Sequence, residues 1–358
     1  MKRNSDSAPR GKRPWRLLTV AAAVAAIGGA TAANAIGGRD HNGRHHARSI
    51  SHSGLIASKT LLAPEGRIAF DHTDPNGRED IFTIAPTGRD LRQITHTPAG
   101  QGGSEAPEWT PDVTRLYFDS DRAGHVHVFV TDRAGRHVAQ ITKSSGVEFD
   151  PGISPDGKLL AFEHDSLDSK RGGIFLSHRE HSAFHALKQL THAPGLATGG
   201  ADSGPEFSPD HSKIVFDRAL STKAPDARSA IFVMDIDGRH LTQLTEYSMN
   251  AIYPRWSPDG SRIAFSSNGD NFTDALPANI YVIRADGSHL TQITHRSRGS
   301  HAFTPDWSPD GNQLIYATAS PGQPGTNLEI LNLATGVTNV IYRGASGSQN
   351  QDPAWSRH

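Results

Sequence analysis

Tyr253-Pro254-Arg255-Trp256-Ser257-Pro258-Asp259-Gly260 stands complete once in the chain and recurs five more times in shortened form. With Trp256 as an anchor, the equivalent positions are Trp109, Ile153, Phe207, Trp307 and Trp355. Each has Pro two places before it, from Pro107 to Pro353, and Ser or Thr directly after it, from Thr110 to Ser356. Pro-Asp comes next in all but the last. Seven and nine places past the anchor stand the strand formers Leu116/Phe118, Leu160/Phe162, Ile214/Phe216, Ile263/Phe265 and Leu314/Tyr316. Coincidence at so many fixed offsets marks an internal repeat, which outranks local propensity in reading a fold.

The rest of each unit repeats more loosely. An Ile-centred strand recurs at Ile81, Ile174, Ile231 and Ile280. A turn glycine follows at Gly88, Gly135, Gly238, Gly287 and Gly336, and then Gln-Ile/Leu-Thr at Gln93, Gln140, Gln189, Gln243 and Gln292. Each unit reads as four short strands, A to D, in which apolar and polar residues alternate. Pro-Asp-Gly turns A into B: Pro presets φ, Asp bonds its own backbone and Gly accepts positive φ. Anchors 44 to 54 residues apart suit the four-stranded blade of a propeller.

The two ends explain each other. Arg67-Ile68-Ala69-Phe70 is a B strand without a good A strand before it, and Asp352-Pro353-Ala354-Trp355-Ser356 is an A strand with nothing after it. The expectation is an all-β, six-bladed β-propeller of four-stranded blades over residues 61–358. Its C-terminal strand completes the N-terminal blade, closing the ring so that no radial edge is left open.

Ahead of the repeats, Lys2, Arg3, Arg10, Lys12, Arg13 and Arg16 precede an uncharged stretch, Leu17 to Ala35, that ends in Ala33-Asn34-Ala35. A basic start, an apolar stretch and small residues at a cleavage position describe an export signal, here residues 1–35. Residues 36–60, rich in Gly, His, Ser and Arg, read as a flexible linker. The chain of 358 residues has formal net charge −1. The signal holds six of its 36 basic residues and one of its 37 acidic ones, so the remainder has 30 against 36, or −6. That balance excludes a general nucleic-acid binder. The absence of Cys excludes disulfides, thiolate metal sites and thiol nucleophiles.

The repeat Pro-x-Trp-Ser-Pro-Asp-Gly-x-x-Ile-Ala-Phe, clearest at Trp109, Trp256 and Trp307, resembles the WD40-like PD40 repeats of the TolB-family propellers. The resemblance covers 61–358. It implies the propeller fold and, by way of the family, a periplasmic protein-binding part of an envelope complex. In that family an α/β domain precedes the propeller, and residues 36–60 are too short to form one.

The A–B and C–D turns, uniform among the repeats, share one face. The B–C and D–A connections, which differ from blade to blade, share the other and surround the channel mouth. Divergent loops on a rigid scaffold are where binding concentrates. Glu105, Glu148, Asp150, Asp202 and Asp352 precede strand A and are expected to crowd that mouth. Asp121-Arg122 is expected to form an ion pair within its loop, and Tyr253 and His301 complete the candidate binding set. No resident cofactor is called for; the one considered is Ca²⁺ or another divalent cation on the carboxylates, since oxygen ligands suit such ions. The histidines suggest metal sites at His125/His127, at His178/His181/His185, and at His96, His192 and His295, each of which follows a D strand. Gly-x-Ser-x-Gly, His-Glu-x-x-His and phosphate-loop motifs are absent. The sequence therefore points to an exported, monomeric, non-enzymatic propeller. It would bind a protein or peptide of the cell envelope, with no membrane span once the signal is removed. The alternative is an extracellular metal-dependent polysaccharide lyase or hydrolase with its active site in the channel.

Overall fold

The computed structural model describes residues 66–98, 102–166, 171–180, 183–194, 200–221, 228–269 and 277–357. The export signal and the linker lie outside these residues, as do parts of the B–C connections of blades 3, 4 and 5.

Six antiparallel sheets of four strands form the blades, and that of blade 3 carries a fifth short strand, Ala193–Pro194. The innermost strands of blades 1 to 6 are Gln349–Trp355, Glu105–Trp109, Val147–Ile153, Ala201–Phe207, Ala251–Trp256 and His301–Trp307. Blade 1 is closed as expected. Gln349–Trp355 pairs with Ile68–Thr73 from Ile68 opposite Trp355 to Thr73 opposite Gln349. Beyond the last pair, Arg67 and Ser356 exchange two 2.8 Å hydrogen bonds.

The repeated polar residues each have a local task. The Ser or Thr after the anchor donates its hydroxyl to the turn Asp two places on. It accepts a backbone N–H five places on, as Ser257 does with Asp259 (2.5 Å) and Arg262 (2.9 Å). The Thr of Gln-Ile/Leu-Thr accepts the N–H of the Ile- or Val-bearing C strand: Thr95 from Ile81, Thr142 from Val128, Thr191 from Ile174, Thr245 from Ile231 and Thr294 from Ile280. A strand-edge donor that the short D strand leaves open is thereby satisfied.

The apolar residues do not form one core. Each main cluster joins two neighbouring blades: Phe70 of blade 1 packs with Ile315 of blade 6, and Phe265 of blade 5 with Val215 of blade 4. A modest hydrophobic fraction suffices because it is divided among thin inter-blade layers, with apolar burial supplying the cohesion.

The innermost strands contain a feature the repeat did not announce. Three places before each anchor the backbone turns left-handed, at Ala106, Asp150, Gly204, Tyr253, Thr304 and Asp352, with φ between 44° and 60°. The pairing register shifts at the same place in each of these strands. Five of the six are not Gly, at a cost of about 1 kcal/mol apiece. The N–H groups exposed by the bulge are taken by the preceding blade: Asp150 by Asp119 (3.2 Å), Tyr253 by Asp217 (3.1 Å) and Thr304 by Ser266 (3.0 Å).

Candidate functional site

The six bulges place their residues at the channel. A small cavity there, of about 20 Å³, is lined by residues that include Ala106, Asp150, Gly204, Tyr253 and Asp352, together with Glu108 and Arg255. It has room for about one water. Three of the residues expected at the mouth, Asp150, Tyr253 and Asp352, are therefore brought together.

Other candidates have different tasks. Glu148 and Asp202 are almost fully buried, at 1% and 0% exposure. Both belong to a motif repeated in four blades. The Phe of strand B, which is Phe70 in blade 1 and stands nine places past the anchor in blades 2 to 4, stacks or tilts against an aromatic ring of strand C, and a basic side chain lies against one or both rings. Arg122 lies 5.1 and 5.2 Å from the centroids of Phe118 and Phe129, and Arg218 lies 5.5 and 5.1 Å from those of Phe216 and Phe232. His72 and His164 meet Phe82 and Phe175 edge-on at 5.0 and 4.7 Å.

Each basic group is held by the residue five places before the anchor. His72 is held by Asn350, Arg122 by Ser104, His164 by Glu148 and Arg218 by Asp202, at 2.6 to 3.2 Å. Burial works against the Glu148 charge, but hydrogen bonds from His164, Ser144 and His127 hold its carboxyl below the usual range. The expected Asp121–Arg122 ion pair is not what these residues form. Asp121 accepts the N–H of Gly103 (2.6 Å), while Arg122 bonds Ser104 and Ser120. His301, 7% exposed, accepts the N–H of Ala278 (3.2 Å).

Glu105 opens its strand, half-buried, and belongs to an acidic wall. Asp71 lies within that wall at 4% exposure, and its Oδ1 has no hydrogen-bond partner. Burial, and then the charges of Asp352, Glu105, Glu79 and Asp119, push its carboxyl well above the usual range.

At the A–B end of the channel is an ionic network that sequence reading missed. Glu108, Glu206, Arg255 and Asp306 directly precede their anchors, and Arg357 follows the last one. Arg357 bonds Glu206 across the channel, from blade 1 to blade 4. Glu206 also accepts the N–H of Trp256 (2.5 Å), and Asp306 that of Trp355 (2.6 Å), so carboxylates of one blade hold the anchor of the next. Burial pushes Glu108 up to about 7, opposed by Arg255 and Arg357 and assisted by Glu206 and Asp306. Charge at four of six equivalent positions, each next to an apolar anchor, was the available signal.

Among the described residues, His127 and His164 meet on Glu148, and the backbone of His178 pairs with that of His185. His127 is buried on Glu148, whereas His125 is exposed, as are His96, His192 and His295. His181 and the side chain of His185 lie outside the description. Among the described residues no three His, Asp or Glu side chains are gathered so that they could hold a metal ion.

This fold and its repeats define a class, the β-propellers built of Pro-Asp units. Residues 196–358 match the family described as the TolB beta propeller domain, PD40. The repeats that carry this match extend through all six blades, and the chain is similar over its propeller to the TolB-like PD40-repeat proteins. It is similar to the Tol-Pal system protein TolB of Nitratidesulfovibrio vulgaris, 31% identical over 42% of this chain and 30% of that protein. It is also similar to the protein TolB homolog of Chlorobium luteolum, 28% identical over 45% of this chain and 32% of that protein. The chain thus spans about a third of the length of these curated relatives. The crystal structure of TolB from Acinetobacter baumannii shares the fold, with TM-score 0.64 and 18% identity over 81% of this chain and 66% of that one.

Proposed function

We propose that the chain is an exported, non-enzymatic propeller that binds a protein or peptide partner of the cell envelope at its channel mouth. The carrying observation is the acidic wall. Asp71 is buried, with one oxygen unbonded, among the charges of Asp352, Glu105, Glu79 and Asp119. Such a wall attracts a basic segment and strengthens the attraction by focusing the field within a narrow mouth. The naming of relatives as Tol-Pal system proteins supports a role in the envelope, and the divergent B–C and D–A loops support this face. Among the described residues no helix is long and apolar enough to cross a membrane. The lyase alternative gains no support from the described residues.

The test is capture of envelope proteins on the immobilised chain, compared with a Glu105→Gln/Asp150→Asn/Asp352→Asn variant. A partner held by the mouth is expected to be lost from the variant and to be eluted by salt. Equal, salt-insensitive capture on both would remove the mouth as the site.

A further inference from the structure

The face opposite the mouth carries a repeated apolar side chain that the fold leaves uncovered. Leu91, Val138, Leu241 and Leu290 each stand three places after the turn glycine of their blade, and each follows a residue in the left-handed conformation, with φ from 51° to 59°. They are 39–46% exposed. As equivalent positions of a closed ring they lie at one level along its axis, beside the C–D turns. The charge around them is uneven. The C–D turn of a blade packs on the D strand of the blade before it: the backbone of Gly135 meets the carbonyl oxygen of Ile94, and that of Gly238 the carbonyl oxygen of Leu190. A long basic side chain on that D strand reaches the turn, as Lys188 of blade 3 does in donating to the Asp237 carbonyl oxygen of blade 4 (2.8 Å). Arg92 has the place of Lys188 at the boundary of blades 1 and 2, and the turn packed there is Arg133-Ala134-Gly135-Arg136.

Three exposed arginines therefore share one seam. At the boundary of blades 4 and 5 the same places hold Thr242, Ala285 and Ser288, and Asp286 stands in the place of Ala134. Arg92 and Arg136 touch Asp90 (2.9 Å) and Asp132 (3.0 Å) at the surface, in pairs too well solvated to withdraw either charge. Among the described residues Arg133 forms no ion pair, and neither does Arg115 at the adjacent start of strand B. The Arg133 N–H donates to the Thr114 carbonyl oxygen (3.0 Å), which sets the two segments side by side. The imbalance extends over this rim. Residues 67, 84–92, 110–115 and 132–139 of blades 1 and 2 hold six Arg against three Asp. The corresponding residues 208–213, 235–242, 257–262 and 284–291 of blades 4 and 5 hold four Lys and Arg against five Asp.

We infer that the rim of blades 1 and 2 on this face docks the protein on an anionic phospholipid bilayer. The arginines meet headgroup phosphates, whose paired oxygens match the guanidinium fork. Leu91 and Val138, which stand beside those arginines, enter the boundary between headgroups and acyl chains. Basic and exposed apolar side chains on one patch are the composition of an interfacial binding surface. Their common level fits a flat partner, and a small free anion would make no use of the leucine and the valine. The mouth is turned away from the bilayer in this arrangement, so the inference stands or fails independently of the function proposed above.

The chain has no Cys, so a single one can be introduced and labelled with a fluorophore. Val138→Cys places the label beside the arginines, and Asn76→Cys places it on the exposed mouth-side turn of blade 1. The full chain is mixed with vesicles of phosphatidylcholine alone or with about 30% phosphatidylglycerol, their acyl chains carrying a nitroxide quencher. Quenching is expected at position 138 and not at 76, on the anionic vesicles only, and reversed by salt. In Arg92→Gln/Arg133→Gln/Arg136→Gln protein the lipid concentration for half quenching at 138 is expected to rise at least about tenfold. Leu91→Ser is expected to raise it about threefold or more. Absence of quenching at 138, equal quenching by pure phosphatidylcholine, stronger quenching at 76, or an undiminished signal in cooperatively melting triple-arginine or Leu91→Ser protein would overturn the inference. Capture of a soluble acidic protein that the triple variant loses, with no quenching by either vesicle, would do so as well, by making the seam a protein site.

Discussion

The two ends of the channel use the same kinds of residue to opposite effect. At the A–B end, Glu206 and Asp306 meet Arg255 and Arg357, and their oxygens also accept the anchor N–H groups of neighbouring blades. At the mouth, Asp71 lies buried in an acidic wall. Charges that are cross-linked hold a ring together, whereas charges that accumulate one sign destabilise the fold and favour a counter-charge from outside. The difference teaches that buried carboxylates cannot be assigned to stability or to binding by residue type; their partners decide.

The largest test of this contrast removes residues 350–358, which takes away both the inner strand of blade 1 and Arg357. The melting temperature is expected to fall by on the order of 10 °C or more; an unchanged melt would refute closure of the ring. Next in size is Arg357→Met, which leaves the buried carboxylates of Glu206 and Asp306 short of a partner. Denaturant unfolding should show a loss of about 3 kcal/mol. Asp71→Asn at the other end should instead leave stability unchanged or raise it at pH 7. If the two substitutions act alike, the ends do not differ as described.

Glu108 sharpens the comparison through pH. Its carboxyl is raised to about 7 in the fold, so between its ordinary value and 7 the folded state binds the extra proton, and stability falls as pH rises. Glu108→Gln should therefore raise the melting temperature at pH 8 and change it little at pH 4. The gain is up to about 3 kcal/mol before water in the channel screens it. A gain independent of pH would dismiss titration of this group. The smallest effect is expected on the rim. Ser257→Ala removes the hydroxyl that, first among several hydrogen bonds, holds Asp259 down at about 2. That substitution should cost about 1 kcal/mol at neutral pH. The Asp259 contribution is present above its ordinary value and is lost as pH falls toward 2, so the difference between variant and wild type should narrow in acid.

Much of the fold was legible because each repeated residue performs its task locally. Pro258 and Asp259 make a turn, Ser257 closes it, and the Thr of the D strand satisfies a C-strand donor, all within one unit. Closure was legible as well, since a B strand without its A and an A strand without its B leave one pairing. The candidate site was less so. Glu148 and Asp202 share type and place with Asp150 and Asp352, yet the first pair turns back to His164 and Arg218 within the blade, and the second lines the channel. The left-handed bulge separates them. It breaks the alternation by which a strand's faces are assigned, and its presence at Ala106, Tyr253 and Thr304 follows no glycine signal.

The sequence by itself determined the number of blades, their strand order, the joining of the ends and the face on which the loops diverge. These follow from periodicity and turn chemistry, which act over a few residues. Only the tertiary structure decided which carboxylates meet a cation, and that Arg357 crosses from blade 1 to Glu206 of blade 4. Those outcomes depend on groups distant in the chain that come within a few ångströms once the ring has closed, and electrostatic energy is set by that distance and by burial.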